Sequence, residues 1–131
     1  MSDFKGEALS WLRRGTTLEV TLHRAPCNEI GAQSLEELEA LATYVSEGAD
    51  GVHALLLHSD RPAGFCAGAD LAALHHRIEA ADVAGEPWGE EVRGFIDRIH
   101  AAFNALDSAP MTTIAAVHGV CFGGGLELLE V

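Results

Sequence analysis

The chain has 131 residues, the length of one domain at most, and 48% of them are hydrophobic, so a packed core is expected. Eight Lys and Arg residues stand against twenty Asp and Glu residues, which gives a formal net charge of −12. This acidic balance excludes the clustered basic surface that nucleic-acid binding requires.

Cellular location is predicted from the termini and the cysteines. No apolar signal core follows Met1, and no run approaches the ~18 apolar residues of a membrane helix. The three cysteines (Cys27, Cys66 and Cys121) are widely spaced and form neither a CxxC pair nor a zinc-type Cys–His pattern. We therefore expect a reduced, cytoplasmic protein with no membrane segment and no metal site.

The first predicted elements are a strand and a helix. Apolar residues alternate from Thr17 to His23, the period of a half-buried strand, and Pro26 follows as a breaker. Ser34 then precedes a helical stripe, with Glu37 at the capping-box position, and the helix closes at Gly48. The apolar residues of the stripe are Leu35, Leu38, Leu41, Ala42 and Val45.

A second strand and two helices are predicted next. The apolar run from His53 to His58 is typical of a strand buried on both faces. A weakly patterned helix over 71–81 is followed by a surface segment over 82–89, which contains two glycines and a proline. A stronger helix ends before Pro110. Its apolar positions are Val92, Phe95, Ile96, Ile99, Phe103 and Leu106.

The last predicted elements are a buried strand from Thr112 to Val117 and a helix that starts near Leu126 and has barely two turns by Val131. Three glycines, 123–125, separate them. Alternation of strands and helices predicts an α/β fold. Because the last helix is so short, we expect the chain to be the N-terminal portion of a longer domain.

Two segments are rich in small residues, which would allow their backbones to contact a ligand. In residues 65–71, FCAGADL, the small side chains allow close approach to a ligand, and Asp70 can cap the next helix. In residues 114–127 a buried strand leads through glycines into a helix, which leaves free backbone N–H groups at one sheet edge. The structural alternatives are an ordinary glycine turn and close helix–strand packing. Neither known phosphate-loop pattern is present.

Together, FCAGADL and, about fifty residues later, AAVHGVCFGGGLEL resemble the two signature segments of the crotonase (enoyl-CoA hydratase/isomerase) superfamily. The resemblance implies a crotonase-like β-β-α superhelix of the ClpP/crotonase type, in truncated form, with residues 1–131 as its N-terminal portion. It also implies an oxyanion hole formed by the backbone N–H groups of Ala69 and Gly124. Glu127 matches the first catalytic glutamate of the hydratases.

The resemblance extends to coenzyme A. The segment HRAPCNEI, residues 23–30, is similar to the early family segment that lines the CoA site. The implied CoA-binding residues are Arg24, Ala25, Asn28, Ala67, Gly68, Asp70 and Leu71. The Lys or Arg that commonly follows the Asp70 position and contacts CoA phosphate is replaced by apolar residues, and Arg77 is the nearest cation. No cofactor is implied beyond the CoA of the substrate itself.

The predicted function is hydration of a 2-enoyl-CoA thioester by a homo-oligomer, a trimer or hexamer by family resemblance. The second glutamate of the hydratases comes from a segment beyond residue 131, and no residue of this chain matches it. Two alternatives therefore stay open: an enoyl-CoA isomerase or acyl-CoA thioester hydrolase of the same superfamily, and a catalytically incomplete acyl-CoA-binding or self-associating module.

Other reactive side chains receive structural interpretations. His75 and His76 are adjacent on a helix, so they are expected on the surface rather than at a metal. His118 is predicted to be a hydrogen-bonded buried imidazole. Cys66 and Cys121 lie in the two signature segments, but no activating base is evident for a thiol nucleophile.

Overall fold

The computed structural model describes residues 3–131. Met1 and Ser2, the first two residues of the predicted domain, lie outside this range. The strands are β1 (Phe4–Lys5), β2 (Leu9–Arg14), β3 (Thr17–Leu22), β4 (Ala54–Ser59), β5 (Gly64–Cys66), β6 (Thr112–Ala116) and β7 (Val120–Cys121). The helices are α1 (Ala32–Ser46), α2 (Leu71–Val83), α3 (Trp88–Asp107) and α4 (Gly124–Leu129).

The strands form two sheets. The larger sheet has the order β1-β2-β3-β4-β6, in which β1, β2 and β3 are antiparallel neighbours and β3, β4 and β6 are parallel. The smaller sheet is the parallel pair β5-β7. Parallel neighbours require crossover connections, and α1 connects β3 to β4, while α2 and α3 lie between β5 and β6. The predicted α/β architecture is confirmed.

One face of the larger sheet forms the core with α1 and α3. Leu18 and Val20 on β3 and Leu55 and Leu57 on β4 are buried, as the alternation of side chains along a strand requires. The five apolar residues of the predicted α1 stripe are all buried, and α1 packs against α3. The larger sheet and these two helices therefore share one apolar core, and Phe65 and Cys66 of the smaller sheet also belong to it.

The start of α1 differs from the prediction. The helix begins at Ala32 with Gly31 as N-cap, so Ser34 is inside the first turn, where its hydroxyl accepts the Gly31 N–H at 3.2 Å. Glu37 is not a capping-box residue. Its side chain is buried, with 3% exposure, and its carboxylate accepts the N–H groups of Ala8 and Leu9 at 3.0 and 3.1 Å. Glu37 therefore joins α1 to the turn before β2.

Burial of the parallel strands also differs from the prediction. On β4, the side chains that alternate with Leu55 and Leu57 are only partly covered. The strand predicted over 112–117 forms as β6, but it is the edge of the larger sheet, and Ile114 is exposed. An apolar run alone does not distinguish a central strand from an edge strand.

The connection between the long helices is shorter than predicted. α2 continues to Val83 and α3 starts at Trp88, four residues before the first apolar position of its stripe. The first turn of α3 is exposed, Trp88 included, and only later residues such as Phe95 and Ile99 reach the core, so the apolar stripe does not mark where the helix starts. Within residues 3–131, no helix is both long enough and apolar enough to cross a bilayer.

Candidate functional site

The two signature segments meet at one edge of the small sheet. Because β5 and β7 are parallel, the loops that follow them leave from the same end. The first loop, 67–70, leads into α2, and the second, 122–123, leads into α4. The Phe122 N–H donates to the Cys66 carbonyl oxygen at 3.0 Å and holds the two loops together.

Glycines permit this close approach. Gly68 has φ +92°, and a Cβ on it would lie 3.0 Å from the Phe122 carbonyl oxygen and 3.3 Å from the Gly124 nitrogen. A Cβ on Gly125 would lie only 2.2 Å from the Cys66 carbonyl oxygen. These two positions require glycine, which explains the small-residue composition of both segments.

The backbone nitrogens of Ala69 and Gly124 lie at this junction. Ala69 forms a parallel bridge with Ile30, in which the N–H groups of Ile30 and Asp70 make the hydrogen bonds, so the Ala69 N–H is directed to the other side. Gly124 is the first residue of α4, where an N–H has no acceptor within the helix. A Cβ on Gly124 would lie 3.9 Å from the Ala69 nitrogen, so both groups border one small space.

Asp70 supports the first of these loops. Its carboxylate accepts the Ala73 N–H at 3.0 Å, which makes Asp70 the N-cap of α2, as predicted. Arg24 contacts the same carboxylate at 2.7 Å. The bond from Ala73, and after it the bond from Arg24, holds the pKa of Asp70 below its usual value. The Arg24 guanidinium therefore neutralises a protein carboxylate and also donates to the Glu29 carbonyl oxygen.

The other residues implied in CoA binding differ in exposure. Asn28 is buried, and its amide donates to the Ser59 hydroxyl and the Phe65 carbonyl oxygen, both at 2.8 Å, so its side chain is engaged within the protein. Ala25 and Leu71 are exposed. The half-buried Ala67 donates its N–H to the Cys27 carbonyl oxygen at 2.9 Å.

Two thiols and three histidines that the sequence singled out lie outside a catalytic environment. Burial raises the pKa of Cys66 to about 11, and burial also raises the pKa of Cys121. Both thiols are therefore protonated at neutral pH. His118 is exposed rather than buried, contrary to prediction, because it lies in the loop after the edge strand β6, and it contacts the Arg61 carbonyl oxygen at 2.8 Å. His75 and His76 are exposed, as predicted.

Glu127 lies one turn into α4, and its side chain is 53% exposed. Its carboxylate faces α3, where the His100 Nε2 lies 3.4 Å from the Glu127 Oε2. Sequence reasoning missed His100, because it lies beside the apolar stripe of α3 and nothing in the sequence indicates that α3 reaches α4. Arg77, on α2, lies with its guanidinium 5.4 Å from the centre of the Phe95 ring.

Sequence comparison finds curated relatives of this chain. An alpha subunit of the fatty acid oxidation complex from Vibrio cholerae is 33% identical over 77% of this chain. The human mitochondrial methylglutaconyl-CoA hydratase is 39% identical over 59% of this chain. The matches cover only 13% and 20% of those proteins, so the chain spans a minor part of the curated relatives it matches.

The fold has close counterparts among solved structures. The crystal structure of an enoyl-CoA hydratase from Bacillus anthracis matches 93% of this chain with a TM-score of 0.76 and 27% identity, and the match covers 44% of that protein. The family model for enoyl-CoA hydratase/isomerase matches residues 13–131, which includes both loops of the candidate site. With sequence and fold in agreement over nearly its whole length, the chain belongs to the enoyl-CoA hydratase/isomerase family and has the crotonase fold.

Proposed function

We propose that this chain is an enoyl-CoA hydratase, which adds water to a 2-enoyl-CoA thioester and stabilises the enolate with two backbone N–H groups. The observation that supports this most directly is the proximity of the Ala69 and Gly124 backbones, since a Cβ on Gly124 would lie 3.9 Å from the Ala69 nitrogen. Two backbone donors beside one small space suit a single oxygen that gains negative charge. The Bacillus anthracis structure and the human relative are both named hydratases, which supports the same reaction.

The proposed chemistry follows from the charge that hydration generates. The water oxygen bonds to the β-carbon, a water proton goes to the Glu127 carboxylate, and the C=C electron pair moves onto the thioester oxygen as an enolate. The Ala69 and Gly124 N–H groups stabilise that oxygen. The α-carbon then takes the proton back from the Glu127 carboxyl group as the enolate collapses, which restores the thioester and the Glu127 carboxylate and leaves H and OH added across the former double bond.

Apolar side chains around the loops are consistent with an acyl ligand. Leu71, directly after Asp70, is 73% exposed. Phe122, directly before Gly123, is 63% exposed. Exposed apolar groups at a site of this kind typically mark a binding surface. We propose no metal and no cofactor beyond the CoA of the substrate, and among residues 3–131 no cluster of metal-ligating side chains occurs.

The test is an assay that separates hydration from isomerisation and from thioester hydrolysis. Crotonyl-CoA is incubated with the 131-residue chain, and loss of the enoyl thioester absorbance reports hydration. A 3-enoyl-CoA substrate tests isomerisation, and release of free CoA thiol tests hydrolysis. The proposal predicts hydration as the main activity. Isomerisation or thiol release without hydration would overturn it.

A second candidate is a catalytically incomplete acyl-CoA-binding or self-associating module. The exposed Ile114 on the edge strand β6 favours it, because an open strand edge with apolar side chains can pair with another chain. The predicted trimer or hexamer would also use exposed apolar surface. Analytical ultracentrifugation with the hydration assay distinguishes the candidates: association without hydration supports the module.

A further inference from the structure

The first loop of the candidate site is bonded to the chain segment 27–30, which lies beside it. The Ile30 N–H donates to the Gly68 carbonyl oxygen at 2.8 Å. The Asp70 N–H donates to the Ile30 carbonyl oxygen at 3.0 Å. These two bonds flank Ala69, and in a parallel bridge of this kind the residue between them directs its own N–H away from the partner segment. The position of segment 27–30 therefore determines the position of the Ala69 N–H.

The Asn28 side chain holds segment 27–30 in place. Asn28 has φ +56°, in the left-handed region that Asn adopts more readily than most other residues. Its side-chain oxygen accepts the Arg24 N–H at 2.9 Å. Its side-chain amide donates to the Ser59 hydroxyl and to the Phe65 carbonyl oxygen, both at 2.8 Å. One side chain therefore joins the turn before α1, the end of β4 and the strand β5, from which the first loop leaves.

The Asn28 amide has no donor left for a ligand. The residue is only 6% exposed, and the two hydrogens of its amide are accounted for by Ser59 and Phe65. A contact with CoA through this amide would leave one of these acceptors without its donor, which is costly for a buried group. A carboxylate could not replace the amide, because it has no hydrogen to donate to the Phe65 carbonyl oxygen.

We propose that Asn28 is a positioning residue for the Ala69 N–H rather than a CoA contact. Through Phe65 it holds the strand that leads into the first loop, and through its own backbone segment it holds the side of that loop opposite the Ala69 N–H. This role rests on the proposed hydratase function. Donors of an oxyanion hole act because they are fixed before the charge develops, so a looser Ala69 N–H weakens stabilisation of the enolate more than it weakens substrate binding. The effect is therefore expected on kcat rather than on KM.

Hydrogen exchange tests whether Asn28 holds the loop, without reference to activity. The amides of Ile30 and Asp70 are the probes, and the amide of Leu57, on the central strand β4, is the internal reference. Asn28→Gly removes the side chain and still permits the positive φ. In this variant the two probes should exchange about tenfold faster relative to Leu57, the effect of losing hydrogen bonds of ordinary strength.

Val45→Ala is the control for a general loss of stability. Val45 is fully buried near the C-terminal end of α1, so its truncation leaves a cavity away from the first loop. Exchange at Ile30, Asp70 and Leu57 should quicken together in this variant. Exchange in Asn28→Gly that quickens equally at all three amides, or at none, would overturn the proposal.

Kinetics then separate a positioning residue from a CoA contact. Asn28→Gly should lower kcat for crotonyl-CoA hydration about tenfold with little change in KM, whereas Val45→Ala should keep both. Ser59→Ala removes one acceptor of the Asn28 amide, and that of the Arg61 N–H, but keeps the other bond of the amide. It should give a smaller loss of the same kind in both measurements, and it decides the matter if Asn28→Gly does not fold. A raised KM with unchanged kcat, the result for a CoA contact, would overturn the proposal.

Failure of this role is distinguishable from failure of the hydratase function. Hydration by the unmodified chain with an unchanged kcat in Asn28→Gly would overturn the role of Asn28 alone. No hydration by the unmodified chain would overturn that role together with the hydratase proposal, and the exchange rates would then show only whether Asn28 holds the loop.

Discussion

Gly124→Pro is a direct test of the backbone donor proposed at the start of α4. The substitution removes one N–H and no side-chain group. Gly124 is the first residue of α4, and proline is well tolerated at that helix position, since the N–H there has no acceptor within the helix. The preceding residue is also a glycine, so the restriction that proline places on its neighbour is mild.

The expected magnitude follows from the loss of one of two donors. Removing a single oxyanion-hole donor typically lowers kcat by about 10²–10³, or ~2.7–4 kcal/mol. Ala69 and Gly124 are both half-buried in this chain, and water partly screens such a site, so we expect the lower end, about 10². The helix itself should remain, because proline lacks only an N–H that has no acceptor within the helix at this position.

The assay is crotonyl-CoA hydration, with circular dichroism and thermal unfolding to verify the fold. Gly124→Ala is the matched variant, because it keeps the N–H and its Cβ would have only ordinary contacts, 3.5 Å to the Ile30 side chain being the shortest. It should lose much less activity than Gly124→Pro. Equal losses in the two folded variants, or an unchanged kcat in Gly124→Pro, would refute the assignment of this N–H to the oxyanion hole.

Three further predictions concern buried and ionised groups. Glu37→Ala should lower the unfolding free energy by about 2–5 kcal/mol, because the buried N–H groups of Ala8 and Leu9 lose their acceptor, and the exposed Glu36→Ala is its control in urea denaturation. Cys66, with a pKa of about 11, should resist iodoacetamide at pH 7.5 in the native chain and react after unfolding, and rapid native alkylation would contradict its burial. The pKa of Asp70 is lowered in the folded state, so its contribution to stability is present at neutral pH and is lost as the pH falls below about 4. The difference in unfolding free energy between the unmodified chain and Asp70→Asn should therefore shrink with acidification, and a difference independent of pH would contradict the ionic role of Asp70.

Sequence patterns predicted the elements whose side chains alternate clearly between core and solvent. Leu18, Val20 and Leu22 marked β3, and the stripe over 35–45 marked α1, since burial on one face leaves a regular period. The strands β1 and β2 were not predicted. In β2 only Leu9 and Trp11 alternate toward the core before Leu12 and two arginines follow. Two alternating residues are too few to establish a strand period.

For the candidate site, the sequence predicted local geometry better than contacts between elements. Asp70 caps α2 as expected, because capping depends only on neighbouring residues. The Arg24–Asp70 pair, the link from Glu37 to Ala8 and the approach of His100 to Glu127 all join residues more than twenty positions apart. Periodicity contains no information on such distances. The oxyanion hole itself was predicted by resemblance to the crotonases and stays a proposal.

The most direct test of the proposed function is hydration of crotonyl-CoA by the 131-residue chain beside Glu127→Gln, with Glu130→Gln as the control on the same helix terminus. We predict hydration by the unmodified chain, at least a hundredfold loss of kcat in Glu127→Gln and nearly full activity in Glu130→Gln. Hydration that survives unchanged in Glu127→Gln, or no hydration by the unmodified chain, would contradict the proposed function.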